Sequence, residues 1–388
     1  MSAEFEFKDV EFSKLDQAIH FKIFNMRTSV LNALRRTVLG EIRNVGFLHG
    51  ENTTIHVVKN TTGLHNEFIS HRISMLALKS REFSREAVKS MHFEEKENLD
   101  SQLELEKYKF VLNVSQKTHT WVSTDDFQVY KEDVLLFSEK SSFFPIDGYS
   151  KSPTLITRFP LKVTGKEPEE LVVECYPTIM TGRASAGFSP VSISSMFPIS
   201  IEEKAKNCNQ FIVEGIGSIQ PGEIFLLGIK TLRSKLDECL KEFENIKFKV
   251  EMGTLEKDKP DMDFKINAKP IDNANYQGID YEIKNESHTL GNMLQDWIYF
   301  KEILNKDSRL EHISYFEPHP LSNSIIIRVM LKNKTENNKN TDTYETYLGR
   351  VNSVIIYYLN TLYDYFVSME KKWIICLRAD FNGFKSVL

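Results

Sequence analysis

The sequence predicts an α+β fold built from two related halves, and three observations carry that expectation. A strand-like run is followed at once by an amphipathic helical pattern near the N-terminus and again near residue 287. The two copies share residues: "TSVLNAL" (28–34) aligns with "HTLGNML" (288–294), which sets Ser29 over Thr289, Val30 over Leu290, Asn32 over Asn292 and Leu34 over Leu294. Each half then closes on a long helical pattern. Halves that each leave a helical stripe uncovered are expected to pack on one another about a pseudo-twofold axis.

Taken in order, "AIHFKIF" (Ala18–Phe24) is apolar throughout most of its length and reads as a strand. A helix is expected over Ser29–Ile42, with Ser29 as its cap and Val30, Leu31, Leu34, Val38 and Ile42 within one arc. "TTIHVVKN" (53–60) is strand-like. "LHNEFISHRISMLAL" (64–78) reads as a short helix ending in an apolar strand-like run. From about 81 to 200, charge-rich connections such as "HFEEKENLDSQLELEK" separate short β-type runs, among them "KFVLNV" (109–114) and "ELVVECY" (170–176), and imply an inserted β-rich module. "QFIVEGIGSI" (210–219) resumes strand character.

Pro221-Gly222 then opens a helix expected over Glu223–Asn245, whose apolar positions Phe225, Ile229, Leu232, Leu236, Cys239 and Phe243 alternate spacings of four and three. Residues 253–278, rich in Lys, Asp, Pro and Asn, read as a linker. The second half restarts with a strand over Ile279–Asn285, a helix over Ser287–Phe300 and a strand over Ser324–Leu331. Residues 332–343 are polar and read as a solvated loop. The last helix is expected over Thr343–Lys371, its stripe running through Leu348, Val351, Ile355, Tyr358, Leu362 and Met369.

Composition narrows the function. At 388 residues, 41% hydrophobic and 27% charged, the chain has the length for two or three globular domains. A net charge of −5 opposes a large autonomous nucleic-acid footprint. The cysteines, Cys175, Cys208, Cys239 and Cys376, lie far apart without a C-x-x-C pair, so neither a disulfide framework nor a zinc finger is offered. No apolar run reaches the roughly 20 residues that span a bilayer, and "MSAEFEFKDVEF" has neither a basic n-region nor an apolar h-region. A soluble intracellular protein is expected.

An enzyme would need a constellation, and none is offered. P-loop, G-x-G-x-x-G and G-x-S-x-G motifs are absent. In "HNEFISH", His65 and His71 are six residues apart, about 240° round a helix, where a metalloprotease needs a spacing of four. Both are expected to be interface or packing residues. "EGIGSIQPG" reads as a strand end followed by a helix start, and "FEEKENLD" as a solvated loop. His288 precedes Thr289, read as the cap of the second-half helix; Gly291, costing about 1 kcal/mol against Ala there, implies close contact with a neighbouring helix or chain. The alternative to a complex-forming chain is a stand-alone structural or nucleic-acid-binding protein of the same fold, with "IKTLRSKL" and "MEKKW" as short basic patches.

On a helical wheel Leu31, Leu34, Val38 and Ile42 occupy one side, Arg35 sits at its edge, and Arg36 points away with Asn32, Ala33 and Gly40. A small, polar face with one guanidinium suits close approach by another chain. The competing reading has both arginines reaching into water over a helix packed only on its own core.

"NALRR" within "TSVLNALRRTVLGEI", followed by "NEFISHRISMLAL", resembles the α-type assembly subunit of multisubunit DNA-dependent RNA polymerases: bacterial α, archaeal D and the third-largest eukaryotic nuclear subunit. "FIVEGIGSIQPGEIFLLGIKTLRSKL" resembles that family's return strand and dimerisation helix. "YEIKNESHTLGNMLQDWI" and "ISYFEPHPLSNSIIIRV" are similar to the archaeal L and eukaryotic eleventh-subunit family.

The resemblance implies two α-type dimerisation domains fused in one chain as an intramolecular pseudo-dimer, an arrangement similar to that in some large DNA viruses of eukaryotes. It divides the chain into a discontinuous α/D-like assembly domain (1–80 and 201–252), an inserted module (81–200), a linker (253–278) and an L-like domain (279–388). It implies a non-catalytic platform that docks the two largest polymerase subunits. One or more small subunits are further expected partners, with DNA and RNA engaged only indirectly and no membrane. No cofactor is expected on this chain, and magnesium is expected in the partner catalytic subunit. The location would be cytoplasmic, in a viral factory or virion, for a viral protein and nuclear otherwise.

The large-subunit interface is expected at Arg36, Arg35, Asn32, His71 and Arg72, and the pseudo-dimer core at Leu31, Leu34, Val38, Leu232, Leu236, Leu290, Leu294, Ile355 and Leu362. Where many relatives carry a cysteine cluster in the inserted module, for zinc or an iron–sulfur cluster, this chain has only Cys175, and no metal is predicted. "TGRASAGFSPVS" (181–192) stands where relatives have a loop with His, Gly and Pro, and no role is assigned to its Arg183 or Phe188.

Overall fold

Alternating burial builds the first sheet. In Ala18–Phe24 (β2) the side chains of Ile19, Phe21 and Ile23 are buried, as period-two patterning requires. β2 pairs antiparallel with Glu6–Ser13 (β1) and Cys208–Gly215 (β13), and Val191–Pro198 (β12) completes the order β1-β2-β13-β12. The computed structural model describes residues 4–83, 104–117, 120–160, 167–199, 208–252, 265–271, 277–319, 321–332 and 343–380. The chain forms two units: a larger one from residues 6–24, 38–228 and 376–388, and a smaller one from 1–5, 25–37 and 229–375. Three of the unit boundaries fall inside helices, Thr28–Gly40 (α1), Pro221–Glu251 (α3) and Tyr344–Asp380 (α5).

In the larger unit the opening turns of α3 drive Phe225 into a cluster with Phe7, Phe21 and Phe211, at ring separations of 6.1, 4.8 and 5.2 Å. Each ring is buried, so this plug removes a large apolar area from water at one point. Gly228 lies against α1: a Cβ there would stand 2.7 Å from Cγ2 of Val38. A second, five-stranded sheet has the order β4-β10-β5-β7-β8, from Ile55–Asn60 (β4), Glu170–Cys175 (β10), Tyr108–Ser115 (β5), Phe127–Lys131 (β7) and Val134–Phe137 (β8). Two strand pairs accompany it: Arg43–Gly46 (β3) with Thr178–Thr181 (β11), and Trp121–Ser123 (β6) with Leu155–Arg158 (β9). Phe47, Phe110, Phe127, Phe143 and Phe144 anchor its core, to which the short helix Asn66–Ser74 (α2) adds Ile69 and Ile73.

These sheets cross the expected domain boundaries. β4, assigned to the α/D-like domain, is an edge strand of the module's sheet, and β12, assigned to the module, belongs to the sheet of β2. The strand-like run after α2 does not form a ladder. Leu76 and Leu78 are buried, but the backbone makes isolated bonds, from Lys79 N to Phe143 O (2.7 Å) and from Ser80 N to Ser218 O (3.1 Å). Apolarity there serves the core and not a sheet. Most of "HFEEKENLDSQLELEK", the polar loop before α5 and most of the linker lie outside the described residues.

In the smaller unit a four-stranded antiparallel sheet has the order β14-β15-β17-β16, from Ile266–Pro270 (β14), Ile279–Lys284 (β15), Ser324–Leu331 (β17) and Leu310–Phe316 (β16). β14 falls within the stretch read as linker. Its Lys and Pro mask a strand because it is an edge, where those residues are tolerated; Ile266 is nonetheless buried and Lys269 bridges Glu282 at 3.0 Å. Helix His288–Ile298 (α4) follows β15 and is extended by a π-type turn over Tyr299–Ile303.

The repeat proves to be three-dimensional. The strand positions Ile19, Phe21 and Ile23 are buried like Ile279, Tyr281 and Ile283. Asn25 and Asn285 both turn the chain into the helix with left-handed backbones, φ 56° and 58°, a conformation Asn tolerates. Position 26 and its equivalent differ in kind: Met26 is buried, whereas Glu286 is buried and held by Lys235 (3.0 Å) and Lys265 (3.1 Å).

Candidate assembly interface

Helix α1 carries the singled-out arginines. Asn32 Oδ1 accepts from Arg35 Nε and Nη2 at 3.1 and 3.0 Å, an i,i+3 clasp along one face. Arg36 is exposed, as the wheel requires, yet its Nε donates at 2.8 Å to Thr289 Oγ1 on α4. Ala33, placed on the outer face by the wheel, is buried at 2% exposure. The face is therefore narrower than drawn, because α1 is covered on more than one side.

Ser29 and Thr289, both read as caps, do other work. The cap of α4 is Ser287, whose hydroxyl accepts from Thr289 N. α1 begins at Thr28, and the Ser29 hydroxyl donates to the Asp296 carboxylate, which also receives both Nε and Nη2 of Arg27 at 2.6 Å. Arg27 lies over the Phe300 ring, 4.1 Å from its centroid. Burial pushes the Asp296 carboxyl upward, but the bonds from Arg27 and Ser29 outweigh it and hold the group below the usual carboxylate range.

Gly291 is explained by its own half. A Cβ would meet Tyr315 Cδ2 at 2.6 Å and Ile325 Cδ1 at 3.1 Å, so the close neighbour is the β16–β17 face and not the helix or chain expected. His288 reaches Glu317 at 2.8 Å.

In the larger unit, α2 presents His71 and Arg72 to solvent, flanked by Phe68 (62% exposed) and Met75 (52%). Both basic residues lie in its last turn, where the helix dipole favours cations. His49 Nδ1 pairs with Ser70 Oγ at 2.9 Å, and its ring meets that of His71 edge-on at 5.7 Å. His65 precedes the helix and makes no side-chain cap bond. Gly187 packs so closely on the end of α2 that a Cβ would stand 2.4 Å from Ser74 O. Phe188 is buried and Arg183 is exposed.

The nine apolar positions Leu31, Leu34, Val38, Leu232, Leu236, Leu290, Leu294, Ile355 and Leu362 are all at most 3% exposed. All but Val38 belong to the smaller unit. Among the described residues no group of three or more His, Cys, Asp or Glu side chains is placed to hold a metal ion, and no helix is long and apolar enough to cross a membrane.

The Arg27–Ser29–Asp296 and Arg36–Thr289 bonds are what residue-level reading missed. A signal existed: continuing the repeat alignment past Leu34 and Leu294 sets Arg36 over Asp296.

Two models of one family, described as the RNA polymerase Rpb3/Rpb11 dimerisation domain, match this chain, one over residues 20–236 and the other over 278–345. Subunit RPB3 of DNA-directed RNA polymerase II from Schizosaccharomyces pombe is 22% identical over 265 residues, covering 58% of this chain and 84% of its own length. The Rpo11 subunits of DNA-directed RNA polymerase from Saccharolobus shibatae and Saccharolobus solfataricus are each 37% identical over 57 residues, covering 15% of this chain and 53% of theirs. The chain thus spans about half the length of those two relatives.

Proposed function

From the premise that the chain belongs to the RNA polymerase Rpb3/Rpb11 dimerisation-domain family, we propose that it is a non-catalytic assembly platform of a DNA-dependent RNA polymerase, receiving the two largest catalytic subunits. The observation that carries this reading is the occurrence of two such domains in one chain, each with its own strand–turn–helix copy. In separate polymerase subunits the partners must find one another. Here a tether would make the pairing intramolecular and raise the effective concentration.

In this reading the exposed guanidinium of Arg36, the Arg35–Asn32 clasp and the α2 face of His71, Arg72, Phe68 and Met75 receive the large subunits. The guanidinium of Arg36 offers a fork for carboxylates, and the α2 face offers an aromatic anchor in Phe68. The chain contributes no cofactor; the magnesium of RNA synthesis belongs to the partner catalytic subunit, and nucleic acid is engaged through the assembled complex.

The test is purification of the tagged chain from its native source, with mass spectrometry and a nucleotide-incorporation assay. Recovery of two large chains with template-dependent RNA synthesis supports the platform; recovery of this chain alone refutes it. Arg36→Glu and Arg72→Glu are expected to fold, since both side chains are exposed, and to recover less of a large subunit. Full recovery with both variants would remove these residues from the interface.

A further inference from the structure

The bonds between α1 and α4 obey the repeat. Ser29 bonds Asp296, and Thr289 bonds Arg36. In the alignment Thr289 is the equivalent of Ser29 and Asp296 the equivalent of Arg36, so each contact is the image of the other, the reciprocity of an isologous interface. Charge breaks that symmetry: the repeat places a guanidinium at one site and a carboxylate at its equivalent. Arg27, whose equivalent is the neutral Ser287, forks onto Asp296.

The same symmetry states what a homotypic pair would contain. Two copies of α1 would set Arg27 against Arg36 of the other copy, twice, with no carboxylate at either contact. Two copies of α4 would set Ser287 and Thr289 against Asp296, losing the fork altogether. Only the pairing of unlike helices places a carboxylate opposite Arg27.

We propose that Arg27, Arg36 and Asp296 form a specificity code that selects pairing of α1 with α4 over pairing of either helix with its counterpart in another copy of the chain. Attraction in the chosen pair and like-charge repulsion in the wrong one are the two halves of such a code. The code goes beyond a role in transcription and is read without polymerase.

The experiment uses the full chain, with mass by light scattering across a range of concentrations and thermal unfolding. The unmodified protein is expected to be a monomer of 45.0 kDa. In Arg36→Asp/Asp296→Arg, two α1 helices would match Arg27 with the new carboxylate twice, while α1 with α4 would oppose Arg27 to a new guanidinium. That variant is expected to double its mass or more as concentration rises. Arg27→Asp/Asp296→Arg restores opposite charges between α1 and α4, so it is expected to regain most of the unfolding temperature lost in Asp296→Arg alone.

A monomeric Arg36→Asp/Asp296→Arg with unchanged unfolding would overturn the code, as would self-association of the unmodified chain through α1. If that variant fails to fold, the charge swap decides: no recovery over Asp296→Arg sinks the proposal.

Discussion

Arg36 donates through Nε to the Thr289 hydroxyl at 2.8 Å, joining residues that lie far apart in sequence but in equivalent stretches of the repeat. The side chain is exposed all the same. The bond through Nε fixes the guanidinium against α4. A side chain held in this way loses less rotamer entropy in any further bond it makes.

Asp296→Asn removes the charge that Arg27 and Ser29 bond, while retaining shape. Hydrogen bonds to charged groups contribute about 1.5–3 kcal/mol, and a loss of that size is expected in denaturant unfolding at neutral pH. The sign with pH follows from the lowered carboxyl. A group that ionises more easily folded than unfolded adds stability above the ordinary aspartate range, and this is lost as pH falls below roughly 4 toward the folded value. The unmodified protein should therefore lose more stability on acidification than Asp296→Asn, and parallel acid titrations would contradict that pairing.

Glycine-to-alanine changes should split by position. At Gly349 in α5 a new methyl would meet Val250 Cγ1 at an ordinary 3.5 Å, so the gain in helix propensity, about 1 kcal/mol, should appear as stabilisation. At Gly291 the same gain is opposed by contacts at 2.6 and 3.1 Å, and overpacking of about 1–3 kcal/mol should win. Chemical denaturation midpoints moving in opposite directions check this; a more stable Gly291→Ala would mean that Tyr315 yields freely.

Leu34→Asp and Ile355→Asp each put a carboxylate at a site no more than 3% exposed. Burying an unpaired carboxylate costs several kcal/mol. Expression is expected to yield aggregated protein. Soluble, compact variants would show that these positions are not in a packed core.

Thiol labelling should follow burial. The Cys175 and Cys239 thiols are buried, and burial pushes both upward, Cys239 to about 12. Thiolate is the reactive form, so at pH 8 an alkylating agent should spare these two in the native protein and modify them after unfolding, while half-buried Cys376 reacts first. Mass spectrometry of labelled peptides reads the order.

The sequence by itself determined the repeat and its elements. Apolar, strand-like runs located β2, β15 and β17, and the long 4–3 stripes located α3 and α5, because burial on one face is a local constraint that neighbouring residues must each satisfy. α3 and α5 nonetheless run past their expected ends, to Glu251 and Asp380, and buried Ile246, Trp373 and Leu377 carry their apolar stripes into the extra turns. Tertiary structure alone decided which strands share a sheet: β4 joins β10 and β12 joins β13 across boundaries drawn from composition. It also turned Ser29 and Thr289 from caps into bonds between α1 and α4. A hydroxyl at a helix start satisfies local capping rules equally well in either role, and only the arrival of Asp296 or Arg36 from the other half selects between them.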